Sequence, residues 1–174
     1  MMTKQLYRTL QNALLLLTIV VIATAFYLQY IVGLVPCPLC LMQRFFIFIL
    51  LTLAILAVCK STFERSRFLA TFQMLFAFIG LFFATRQLWL QHLPAGLAPA
   101  CVPDLSVLMH YFPWKDIVHS LVWGAGDCSE IPWAWLGLSM AAWSALYFII
   151  MFIVSGFIFF RLGSSITRVE KKPK

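Results

Sequence analysis

A chain of 174 residues that is 63% hydrophobic and only 11% charged departs from the roughly 25% charged content of an ordinary soluble domain. A soluble domain near this size buries only about 70% of the surface of its unfolded chain, so the composition excludes a water-soluble globule and makes lipid part of the solvent. The net charge of +7 comes from residues that flank apolar runs rather than from a basic, aromatic-lined face, which argues against nucleic acid as a partner.

The first apolar stretch runs from Ala13 to Tyr30, with no charged residue between Arg8 and Arg44. Ala23-Thr24-Ala25 imitates a signal cleavage site, yet apolar character continues to Val35, so the segment is expected to remain a membrane helix. A second stretch, Leu41 to Cys59, carries Arg44 in its first turn; it covers about 28 Å and spans the bilayer if Arg44 snorkels at the interface. The third runs from Phe68 to about Leu88, interrupted by Arg86 near its end. The last, Trp133 to Phe160, is too long for one upright span at about 42 Å, so the part around Gly137 is expected to lie along the interface, where Trp133, Trp135 and Trp143 suit an aromatic belt. The expected architecture is a single all-α integral membrane domain over residues 1–174, a four-helix bundle with spans near 13–32, 41–59, 68–88 and 140–160 and outer loops near 33–40 and 89–139.

Basic residues in short flanking loops are retained on the cytoplasmic side. Lys4 and Arg8 precede the first span, Lys60, Arg65 and Arg67 lie between the second and third, and Arg161, Arg168, Lys171, Lys172 and Lys174 follow the fourth. Ten of the 13 basic residues thus fall on one side, while the long loop Gln91 to Pro132 has Lys115 against Asp104, Asp116, Asp127 and Glu130. Both termini are expected in the cytoplasm.

This topology sorts the five cysteines. Cys37 and Cys40 form a Cys-Pro-Leu-Cys unit at the outer end of the first hairpin, Cys101 and Cys128 lie in the long outer loop, and Cys59 sits across the bilayer as a structural or incidental thiol. The outer side of a bacterial inner membrane permits disulfides. With Cys37 as N-cap, Pro38 takes the first helical position, where its missing N–H costs nothing, and Cys40 lies beside unpaired helical amides. Those amides, the helix dipole and Arg44 one turn later favour a thiolate at Cys40. A disulfide closing so short a loop adds little to folding, so exchange is the better use.

Structural zinc and plain disulfide staples are the competing uses of such a pair. Zinc wants clustered ligands, whereas Cys101 and Cys128 are far apart and His92, His110 and His119 show no paired spacing. Two cysteine pairs on one membrane face favour a thiol-disulfide relay. Between Cys101 and Cys128, Trp114, Ile117, Val118, Leu121 and Val122 make one apolar stripe, which predicts a short helix on the outer leaflet or packed on the bundle. The Pro/Gly-rich segment before Cys101 could present it to a soluble protein in extended form.

Cys37-Pro-Leu-Cys40 followed by Arg44, the loop cysteines, Gln87-Leu88 with His92, and Gly126-Asp127-Cys128-Ser129-Glu130 leading to Trp133, Leu136-Gly137-Leu138, Met140 and Trp143 resemble the disulfide bond formation protein B (DsbB) family. The resemblance implies a membrane oxidase of the periplasmic thiol oxidant DsbA, with ubiquinone or menaquinone as electron acceptor. It implies that the reduced partner attacks Cys101 and releases Cys128, which engages Cys37 and frees Cys40 to pass electrons to the quinone. Arg44 is the expected quinone contact; His92 is a second candidate, set against a loop-capping role, as snorkelling is for Arg86. A strong terminal acceptor is required, because DsbA is itself strongly oxidising, at about −120 mV. The reading from another class is a structural membrane protein whose outer loops are stapled by disulfides. A reductase that carries electrons outward is a third, against which the cysteine order and the Gly126 to Trp143 block stand.

Overall fold

The computed structural model describes residues 4–59, 63–94, 113–124, 126–129 and 131–170. Its elements in order are α1 (Lys4–Tyr30), α2 (Pro38–Cys59), α3 (Phe63–Gln91), α4 (Trp114–Trp123), a 3-10 turn (Gly126–Ser129), β1 (Ala134–Trp135), β2 (Leu138–Ser139) and α5 (Met140–Glu170). Helices α1, α2, α3 and α5 are each long and apolar enough to cross a membrane. The all-α membrane bundle expected from composition is the observed fold. α1, α3 and α5 outrun their apolar stretches by absorbing flanking polar residues such as Arg8 and Arg67. An apolar run marks the lipid-buried part of a helix, whereas backbone hydrogen bonding continues wherever helix formers continue.

α3 is the hub, packed most extensively on α5 and next on α2. Gly80 makes the first contact possible. A Cβ there would lie 2.7 Å from Cδ1 of Phe148, whose ring is fully buried. α1 leans on α2 and touches α5 only lightly, so a gap stays open between α1 and α5. Polar ties help hold α1 in place: Gln11 and Gln73 exchange N–H···O bonds of 3.3 Å, and Thr18 Oγ1 lies 3.0 Å from the Tyr147 hydroxyl. Paired polar groups of this kind join helices in lipid, where an unpaired one would be costly. Much of the remaining apolar surface faces outward, including Leu16, Phe45, Phe78 and Ile153, as a bilayer solvent requires.

The region around Gly137 is an antiparallel hairpin, with Ala134 opposite Ser139 and Trp135 opposite Leu138. Its two turn residues, Leu136 and Gly137, both have positive φ, 53° and 77°, the backbone of the tight turns that match strand twist. The hairpin was not expected. It takes up the excess length of the last apolar region, so that α5 starts at Met140.

Candidate functional site: a three-cysteine cluster beside an apolar cavity

The carbonyl of Cys37 accepts the Leu41 N–H at 3.1 Å, and the helix begins at Pro38. This is the cap arrangement read from Cys-Pro-Leu-Cys, and it places both cysteines at the end of the bundle where α1 turns into α2. The Cys37 and Cys40 sulfurs lie 2.9 Å apart. Gln87 reaches across from α3: its Nε2 donates to Cys40 Sγ at 3.2 Å and to Cys37 Sγ at 3.5 Å, while its Oε1 accepts from Gln43 Nε2 at 2.7 Å.

Cys128 comes to the same place from the 3-10 turn and is fully buried. Hydrogen bonding with Cys128, then with Cys40, together with burial, pushes the Cys37 thiol well above the usual cysteine range. The turn packs on α3 and α2, and α4 before it packs on α2. Ile117 and Ser120 of α4 are buried while Trp114 and Val118 are exposed, so the apolar stripe read from the sequence is split between the bundle and the outside. At the end of α4, Gly124 has φ 83°, and a Cβ there would lie 2.6 Å from Leu90 and 2.7 Å from Leu39. Arg86 locks the same end to α3: its Nε donates to the Trp123 carbonyl at 3.2 Å, and its guanidinium stacks on Trp89 and Trp123. This docking is a contact that the sequence reading of Arg86 did not include.

Behind the sulfurs, the gap between α1 and α5 is a cavity of about 330 Å³. Its walls are mostly apolar, from Leu17, Val21 and Leu28 on α1 to Trp133, Met140 and Trp143. Cys40, Gln43, Arg44 and Gln87 supply the polar groups on the α2 and α3 side. A smaller cavity of about 50 Å³, bordered by Cys37 and Gln91, shares Cys40, Arg44 and Gln87 with it. Arg44 is half-buried and turned toward α1, donating to Gln29 Oε1 and, at 3.4 Å, to the Ala25 carbonyl, with Phe26 beneath it at 5.2 Å. Trp135 and Trp143 close the hairpin side, their rings 5.4 Å apart and Trp143 Nε1 donating to the Trp135 carbonyl at 3.3 Å. An apolar space with a few convergent polar groups is a fit place for a flat, hydrophobic ring with oxygen substituents.

Cys37, Cys40, Cys128 and Arg44 therefore share one site. Cys101 lies outside the described residues. His92 is exposed, with Nδ1 2.7 Å from the Leu88 carbonyl, and borders neither cavity. Cys59 is exposed at the far end of α2. Sequence reading gave no role to Gln87, Gln43 or Gln29. The signal available was their polarity within apolar runs, which in a membrane helix marks a partner or a site.

The chain matches the family model described as Disulfide bond formation protein DsbB over residues 7–158. It is similar to the Disulfide bond formation protein B of Marinobacter nauticus, 36% identical over 141 residues, which cover 80% of this chain and 84% of the relative. The protein of the same description from Hahella chejuensis is 40% identical over 132 residues, covering 72% and 76%. That of Acinetobacter baumannii is 35% identical over 153 residues, covering 85% and 88%.

Proposed function

We propose that this chain, which belongs to the disulfide bond formation protein B family, reoxidises a soluble DsbA-type thiol oxidant in the periplasm and passes the electrons to membrane quinone. It is a disulfide oxidoreductase of multi-pass membrane architecture. The observation that carries the finer reading is the place of Cys37, whose thiol meets both Cys40 and Cys128 while Cys40 borders the apolar cavity with Arg44.

The steps balance as follows. A partner thiolate attacks Cys101 of a Cys101–Cys128 disulfide, and Cys128 leaves as thiolate. Cys128 attacks Cys37, forming Cys37–Cys128 and releasing Cys40 as thiolate. The partner's second thiol attacks its mixed disulfide and departs oxidised, leaving Cys101 reduced. Cys101 then recovers Cys128, and Cys37 recloses on Cys40 as two electrons and two protons pass to the quinone. The net change is dithiol plus quinone to disulfide plus hydroquinone. Arg44 supplies a fixed positive charge in a low-dielectric wall, where it favours both the thiolate donor and a ring oxygen that gains electron density. Basic flanks on one side support cytoplasmic termini and a periplasmic cysteine cluster in the bacterial inner membrane.

The test is quinone reduction by purified protein with a reduced DsbA-type partner, using a short-chain ubiquinone and a menaquinone analogue in parallel. Wild type should turn over with at least one. Cys40→Ser should abolish turnover, and Cys101→Ala should abolish capture of the partner as a mixed disulfide. Undiminished turnover in either variant would sink the relay. A disulfide pattern unmoved by reduced partner would favour a stapled structural protein.

A further inference from the structure

A glutamine amide has an acceptor end and a donor end, and what holds one end decides where the other faces. Gln87 and Gln43 are each 3% exposed, so neither amide has bulk water to turn to. Gln43 Nε2 donates to Gln87 Oε1 at 2.7 Å, which leaves Gln87 Nε2 aimed at the sulfurs, 3.2 Å from Cys40 and 3.5 Å from Cys37. The Cys40 sulfur also lies 3.5 Å from Gln87 Oε1. One amide therefore offers Cys40 an acceptor for its S–H and a donor for its thiolate, with no rearrangement between the two.

We propose that Gln87 is a catalytic residue that receives Cys40 as it becomes a thiolate, and that Gln43 is the positioning residue that keeps the donor end of Gln87 toward the sulfur. This rests on Cys40 being the cysteine released toward the quinone. When the Cys37–Cys40 bond breaks and Cys37–Cys128 forms, the electron pair of the broken bond goes to Cys40. Its charge develops against an N–H already in place, the arrangement that stabilises developing charge without reorganisation cost. The same N–H lies nearer Cys40 than Cys37, which favours Cys40 as the leaving sulfur. Among the described residues, Cys37 at the cap of α2, Cys128 on the 3-10 turn and Arg44 on α2 are the other ionisable groups that act on Cys40. Gln87 is the neighbour from α3.

The experiment makes Cys40 the sole cysteine by replacing Cys37, Cys59, Cys101 and Cys128 with Ser, and follows its alkylation by iodoacetamide against pH in detergent. Adding Gln87→Leu should move the half-point about one pH unit upward, an about tenfold slower reaction at neutral pH. Gln87→Glu keeps size and shape, loses the donor and adds negative charge, and should move it at least as far. Gln43→Leu, which frees the amide to turn, should give a smaller shift in the same direction. Loosened packing would speed alkylation at every pH without moving the half-point, so that outcome, or superimposed profiles for Gln87→Glu and its parent, overturns the proposal. If Gln87→Leu does not fold, the near-isosteric Gln87→Glu and the Gln43→Leu variant decide it. No quinone takes part. Failure of wild type to reduce quinone would overturn the functional reading, while the alkylation profiles judge the role of Gln87 by themselves.

Discussion

The thiols of Cys37 and Cys128 meet in a hydrogen bond, one from the cap of α2 and the other from the buried turn that follows α4. With Cys40 also beside it at 2.9 Å, Cys37 is in contact with both of its possible disulfide partners. A Cys40→Ser, Cys101→Ala protein, given mild oxidant, should therefore form Cys37–Cys128 as its main disulfide. Mapping by mass spectrometry after alkylation of free thiols reads this directly. Recovery of Cys37 and Cys128 as free thiols would show that the two do not exchange in the folded protein.

The raised pKa of Cys37 has a consequence for stability. Below the thiol's unfolded value of about 8.5, folded and unfolded chains both hold the proton and the contribution is fully present. Above it the unfolded chain releases the proton while Cys37 keeps it, held by Cys128, Cys40 and burial, so stability falls as pH rises toward the folded value. The fully reduced protein should unfold at a lower temperature at pH 9.5 than at pH 7.5, and Cys37→Ala should flatten that decline. Equal slopes for the two proteins would remove Cys37 as the cause.

Arg44 is held by two acceptors on α1, Gln29 Oε1 and the Ala25 carbonyl, a use of the guanidinium fork that lysine cannot copy from one ammonium point. Arg44→Lys should raise the quinone KM about tenfold, equivalent to about 1.4 kcal/mol, with a smaller loss in kcat. Gln29→Leu removes one anchor and should raise KM by a smaller factor. Steady-state rates across quinone concentration separate the two constants. An unchanged KM in Arg44→Lys would reduce Arg44 to a tie between α1 and α2.

What was legible in the sequence is what depends on neighbours along the chain. The four spans follow from apolar runs, the cap at Cys37 follows from Pro38 next to it, and the charge beside Cys40 follows from Arg44 one turn later. Gln87 escaped because its role depends on how α3 is rotated against α2, and nothing in the local pattern of α3 sets that angle. The Cys37 to Cys128 contact likewise depends on tertiary packing, that of the 3-10 turn on α3 and α2, which no local pattern sets. The hairpin was hidden for another reason. Trp135-Leu136-Gly137-Leu138 reads as more apolar run, and Leu136 occupies a positive-φ turn position where asparagine or glycine is the usual signal. Leu136 is 75% exposed, so Leu136→Asn should relieve that backbone with little loss of packing and raise hairpin protection in hydrogen exchange.

The contact of Gly80 with Phe148 carries the largest interface of the bundle, that between α3 and α5. A methyl group at position 80 would overlap the aromatic ring, and the ring is fully buried with no open side to move toward. Gly80→Ala should cost about 1–3 kcal/mol as an overpacked site, despite the better helix propensity of alanine. Phe148→Ala alone should cost about 3–5 kcal/mol through the cavity it leaves. In the double variant the added methyl meets empty space, so the combined loss should fall below the sum of the two by at least about 1 kcal/mol. Unfolding in mixed detergent, followed by helix content, gives all four corners of the cycle. Additive losses would mean that the two helices separate enough to take the methyl, and that the close approach at Gly80 is not what holds α3 against α5.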